Sequence, residues 1–265
     1  MRFGRARWWF LLAAIAMAAV CAVLFLPGSI ASKTHLALHG ICAQRPSHSL
    51  RIGGELLPLD ARMTGIYIGA AVTATWLVAA GAATQAGVPP RRVVAMVALF
   101  VVLLASDGFN ALAFDLGLPH PYEPSNVLRL ATGVLGGVAL GAGLTFLFAA
   151  TMWARPDRSR PVVNGLAALA VPLGIGWALG ALALSGLPIL YGPFALGLLV
   201  AAVGVFATLA MIALALVSNR AWTYGSFPEM GALACVGVVT AVGLIAALAG
   251  MRVGLETWLG PPILT

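Results

Sequence analysis

Apolar residues run along this chain in long blocks, separated by short segments rich in Arg, Pro and Gly. Seven blocks stand out, at about 8–27, 65–87, 91–113, 130–153, 162–187, 190–217 and 231–251. Each is long enough to cross roughly 30 Å of hydrocarbon as a helix. Lipid offers backbone groups no partners, so such segments satisfy their own N–H and C=O groups as helices. The punctuation agrees: Pro27-Gly28, Gly87-Val88-Pro89-Pro90, the Arg155–Pro161 segment, Gly186-Leu187-Pro188 and Phe227-Pro228. The pattern predicts an all-α, polytopic transmembrane bundle of about seven spans, a single membrane domain over residues 1–265. Two long connections interrupt it, 28–64 and the Pro-rich 114–128.

Composition supports this reading. Of 265 residues, 61% are apolar and only 9% charged, too few to solvate a water-soluble globule of this size. The net charge of +7 does not point to nucleic acid, because the basic residues sit in short segments beside the spans. With the N-terminus inside, nine basic residues fall on the inner side: Arg2, Arg5, Arg7, Arg91, Arg92, Arg155, Arg158, Arg160 and Arg220. Six fall outside: Lys33, Arg45, Arg51, Arg62, Arg129 and Arg252. The bias predicts an N-in, C-out protein of the cytoplasmic (inner) membrane, with Trp8, Trp9, Trp153 and Trp222 at the inner boundary. The apolar stretch Trp8–Leu26 exceeds the usual core of a secretory signal, so the first block is read as a retained span.

Helix packing is partly legible. Gly133, Gly137 and Gly141 recur every four residues and predict a face that a neighbouring backbone can approach closely. Gly176 and Gly180 predict a second.

Chemistry-bearing residues gather in the two long connections. The first holds His35, His39, Cys42, Gln44, His48 and Met63, and the second holds His120. His39 and Cys42 lie three residues apart and could share a soft metal with the Met63 thioether. Asp107, near the outer end of the third span, can meet Arg129, which opens the fourth; Asn126 stands alongside. An ionisable group inside a membrane is costly enough to be a site candidate, and this pair is read first as a structural clamp anchoring the 114–128 connection. The alternative is a proton or anion site. Tyr122 and Glu123 are candidates for presentation to a partner.

The residues Cys42, Gln44, Pro46, Ser49, Pro58, Arg62, Gly65, Ile66 and Tyr67 follow one another in a recognisable order and spacing. A second block follows: Asp107-Gly108, Ser125-Asn126, Arg129 and Thr132-Gly133. Over about residues 39–137 the chain resembles a prokaryotic membrane-protein family catalogued as domain of unknown function 2085. The resemblance implies a membrane fold and brings no activity with it. The resembled pattern has His where this chain has Ala43, a Cys-x-x-Cys pair where it has Asp60 and Met63, and Arg where it has His48. What remains favours a loop that keeps its shape without a metal; a copper-like site of His39, Cys42 and Met63 is the alternative.

No His-Glu-x-x-His, Gly-x-Ser-x-Gly or phosphate-loop motif occurs, which argues against an enzyme, and no cofactor is required by the sequence. The expectation is a structural or accessory subunit, or assembly partner, of a larger membrane complex. Its partners would be the lipid bilayer and other membrane subunits. The alternative is a small transporter or metal-handling protein using the 35–63 segment and Asp107/Arg129.

Overall fold

The computed structural model describes residues 8–14 and 27–260. The first apolar block therefore lies mostly outside the described residues, with 8–14 helical. Seven helices follow: α1 (Ile30–Leu38), α2 (Ala61–Ala79), α3 (Arg91–Asp115), α4 (Asn126–Met152), α5 (Ala167–Leu184), α6 (Tyr191–Val217) and α7 (Gly231–Leu259). Five segments are long and apolar enough to cross a membrane: 91–115, 126–152, 167–184, 188–217 and 227–259.

Element bounds differ from the apolar blocks where polar chemistry sets them. Helix α2 starts at Ala61, not 65, because Asp60 accepts a hydrogen bond from Met63 N–H at 2.7 Å and caps it. It ends at Ala79, short of residue 87. Gly81 turns left-handed, and Gln85–Gly87 forms a short strand, β3, parallel to β4 (Asp157–Pro161). Helix α4 starts four residues early at Asn126, capped by Ser125. The 28–64 connection is structured, with α1 and a hairpin of β1 (Ser49–Ile52) and β2 (Glu55–Asp60). Gly53 and Gly54 carry φ of 61° and 86°, the left-handed pair that a tight hairpin turn requires.

Helix α4 is the hub. Of its most apolar 18 residues 61% are buried, against 22% for α3 and 17% for 188–217. Helix α2 lies parallel against it through the predicted glycine face, which meets Gly65 and Gly69 of α2. A Cβ at Gly133 would overlap the Arg62 carbonyl oxygen, and one at Gly69 would stand 2.6 Å from the Val134 oxygen. With no room for side chains, the two backbones are in direct contact. The second predicted face also packs on α4: Gly176 against Val134 and Gly180 against Leu130.

The hairpin closes one end of the bundle. Leu50, Ile52, Leu57 and Leu59 are buried with Leu38 of α1, Tyr67 and Ile68 of α2, and Phe194 and Leu198 of α6. At the other end, Trp153 donates to Ala83 O at 2.6 Å and Trp222 to Ala150 O at 2.8 Å, while Trp8 and Trp9 lie against Gly231. The four tryptophans thus share one end. Trp153 is only 5% exposed, so it is a core residue and not part of a lipid-facing belt.

Candidate functional site

The hairpin end carries the polar groups, and its centre is Asp107 on α3, 1% exposed. The carboxylate is paired with Arg62 of α2, not with Arg129. Arg62 donates from Nη2 at 2.5 Å and from Nε at 3.2 Å to Oδ2, and from Nη2 to the Asp107 carbonyl. Thr132 of α4 donates to the same oxygen at 3.2 Å, and the Tyr122 hydroxyl donates to Oδ1 at 3.1 Å. Both oxygens are thus occupied, and four elements meet on one side chain. A carboxylate withdrawn from water needs this complement of donors and a cation to stay ionised.

Asn110, one turn further along α3, donates to Tyr122 O at 2.9 Å and accepts from Tyr122 N–H. The 114–128 connection is therefore stitched to α3 by backbone and side chain together. Contact with Asp107 raises the Tyr122 phenol above its usual range, behind the larger effect of burial. Tyr122 serves this internal contact; His120 bonds Leu118 O and stacks edge-on against Phe114.

Arg129 takes another role. It is 5% exposed; its Nη1 donates to Asn126 Oδ1 at 2.9 Å, and its Nε has no partner. Asn126 Nδ2 reaches back to the Ser47 and Ser49 carbonyls, tying α4 to the segment before the hairpin. Nearby, Asp115 pairs with Arg45 at 2.7 Å and approaches His48 Nε2 at 3.5 Å.

The motif residues of the first connection form a second cluster. Gln44, held at φ 55°, donates from Nε2 to His35 O and Pro58 O, and its Oε1 faces His39 Nδ1 at 2.9 Å. These bonds fasten a left-handed conformation that a non-glycine residue rarely adopts. Pro46 opens the 3₁₀ turn before β1, and Pro58 lies within β2.

His39 Nε2 faces Glu256 Oε2 of α7 at 2.7 Å, so both ring nitrogens are engaged. Arg252 of α7 donates to the carbonyls of His39, Cys42 and Ala43 and binds Glu256 at 2.7 Å. This clasp was not foreseen from the sequence; its only signal was an i, i+4 Arg–Glu pair ending an apolar helix.

Cys42 Sγ accepts from the backbone N–H of Gln44 and Asp60 and donates to Asp60 Oδ2 at 3.5 Å. Burial, with the Asp60 charge beside it, pushes its thiol up to about 11. A metal on these residues would need the thiolate and a free imidazole nitrogen; here both ring nitrogens of His39 face Gln44 and Glu256. Met63 is half-buried against the hairpin core. Among the described residues, no three His, Cys, Asp or Glu side chains converge as a metal site.

The arrangement is thus a set of ties between helices, hairpin and connections; Cys42, Gln44, Arg62, Asp107, Asn126, Arg129 and Thr132 belong to the two sequence blocks, whereas Asn110, Tyr122, Arg45, Asp115, Arg252 and Glu256 do not. No curated protein and no solved structure shows significant similarity to the chain. Residues 42–143, which include Cys42, Gln44, Arg62, Asp107, Asn126 and Arg129, match the family described as "Predicted membrane protein (DUF2085)", so the resemblance to that family rests on the segment that builds the Asp107 cluster.

Proposed function

We propose that this protein is a structural or accessory subunit, or assembly partner, of a larger complex in the cytoplasmic membrane. One observation supports it above the others: Asp107, the buried carboxylate expected of a transport or catalytic site, has both oxygens taken up by Arg62, Thr132 and Tyr122. A proton or substrate site needs a group that can change partners, whereas these bonds join α2, α3, α4 and the 114–128 connection. The bundle is read as seven spans, N-in and C-out. Helix α2 adds a sixth span to the five long apolar segments, since 19 residues extend about 28 Å. The apolar block at 8–27, most of which lies outside the described residues, is read from its sequence as the seventh.

The test is affinity purification from native membranes in mild detergent, with mass spectrometry of co-eluting proteins. Stoichiometric partners that survive purification are expected; a lone chain at full recovery overturns the reading. Fusion of a reporter that folds only outside the cytoplasm to the C-terminus should give signal, and silence there overturns the orientation.

A further inference from the structure

A cavity of about 390 Å³ opens between α2, α4 and α6. Its wall on α2 includes Ala70, Ala71 and Ala74, and its wall on α6 includes Gly197, Ala201 and Gly204. Thr145 and Thr208 also line it, but their hydroxyls donate to Gly141 O and Gly204 O of their own helices, each at 2.8 Å. The wall is therefore close to hydrocarbon in character, and offers water few partners. The two glycines of α6 are not explained by helix packing. A Cβ at Gly133 or Gly137 would strike the α2 backbone, whereas one at Gly197 or Gly204 would meet nothing within 4 Å. Glycine inside a helix costs stability relative to alanine; here its effect is to keep the cavity open.

Shape and charge narrow the occupant. From Gly197 to Thr208 the cavity follows α6 for about 16 Å, at 1.5 Å per residue. That is about half of the roughly 30 Å hydrocarbon core, the depth of one leaflet. On α2 and α4 its lining falls in the halves nearer Trp153 and Trp222, and it reaches Ala83 and Phe227 at that end. A helix segment of the same length and about 10 Å diameter fills roughly 1,200 Å³, far more than the space present. A single extended hydrocarbon chain has the shape that fits. The same end of the bundle carries Arg91, Arg92, Arg155, Arg158, Arg160 and Arg220, all exposed. Among the described residues the acids there are Asp157 and Glu229, and Asp157 accepts from Ser159 with Arg160 at 3.7 Å. The mouth end is therefore strongly positive.

We propose that the cavity between α2, α4 and α6 is a lipid site, which seats one acyl chain of an anionic phospholipid whose headgroup lies at the arginine-rich end. The chain supplies the dispersion contacts that the small residues of α2 and α6 leave unmade. The headgroup supplies the negative charge that the arginines attract. Affinity comes from the fit of the tail, and the choice of lipid from the charge at the mouth. The inference does not depend on the accessory-subunit reading.

The experiment uses the full chain in dodecyl maltoside micelles. Phospholipid carried through purification is extracted and identified by mass spectrometry, and thermal unfolding is followed as phosphatidylglycerol or phosphatidylcholine with the same chains is added. The wild type should retain a phospholipid and be stabilised by phosphatidylglycerol. Phosphatidylcholine, which lacks the net charge, should bind about tenfold more weakly. Gly204→Leu places its side chain in the open space of the cavity, so it should keep the fold, lose the retained lipid and abolish the response. Gly174→Leu on α5 also enters open space but lies outside the cavity, and should behave as the wild type. The proposal fails if neither lipid stabilises the wild type, if the two lipids act alike, or if Gly204→Leu retains lipid as the wild type does. A membrane protein that co-purifies without lipid and is released by Gly204→Leu would overturn it in favour of a partner helix.

Discussion

Replacing Asp107 with Asn removes a charge while keeping shape. The amide oxygen can still accept from Arg62 and Thr132, and the Tyr122 hydroxyl can turn to accept from the amide nitrogen. What is lost is the counter-ion of Arg62, whose side chain is 23% exposed against 1% for Asp107. Breaking a buried pair by removing one partner costs about 3–5 kcal/mol. Arg62 keeps some water and its bond to the Asp107 carbonyl, which sets the expected loss near the lower end, about 3 kcal/mol. For a chain of this size that lowers the unfolding midpoint by roughly 6–12 °C. The assay is a double-mutant cycle in mixed micelles, followed by tryptophan fluorescence, with Asp107→Asn, Arg62→Met and the double variant. Each single variant should be destabilised, and the double should recover most of the loss because no unpaired charge remains. Additive losses, with a coupling energy near zero, would refute the argument that the clamp is an ion pair worth its burial.

Two further outcomes follow from packing and titration. Gly133→Ala places a Cβ against the Arg62 carbonyl oxygen, which is backbone and cannot yield. It should cost roughly 1–3 kcal/mol by overpacking, while Gly143→Ala, with nothing within 4 Å, should be neutral or slightly stabilising; equal effects on the unfolding midpoint would contradict the α2–α4 contact. Burial, and behind it the positive charge of Arg129, lowers His48 below its ordinary 6.5. The folded state therefore favours neutral imidazole. Stability from this group is complete above about pH 6.5 and declines as pH falls from there through the lowered folded value, since the unfolded chain binds the proton first. His48→Gln should flatten the midpoint-versus-pH curve over that range; an unchanged slope would show that His48 is not the group responsible.

The membrane character and the helical class were legible from the sequence, because both depend on local composition. A long apolar block in lipid has few alternatives to a helix. The Gly133, Gly137 and Gly141 face was legible for a related reason, since a four-residue spacing places small residues on one side of a helix wherever it packs. Charged residues near helix ends could likewise be picked out as members of a cluster, and Asp107, Asn126, Arg62 and Arg129 do lie together.

Tertiary structure decided which of them pair. The sequence pointed to Arg129 as the partner of Asp107, whereas the parallel contact of α2 with α4 turns Arg62 towards α3 and leaves Arg129 with Asn126. The clasp of Arg252 and Glu256 on residues 39–43 joins positions more than 200 apart in the chain, which no local pattern encodes. Helix ends were moved by single capping side chains, Asp60 and Ser125, whose weight of about 1 kcal/mol is invisible to a count of apolar residues. Hydrophobicity acts on segments and can be summed along a chain, whereas ion pairs and hydrogen bonds act between particular atoms. Their partners exist only once the helices have packed.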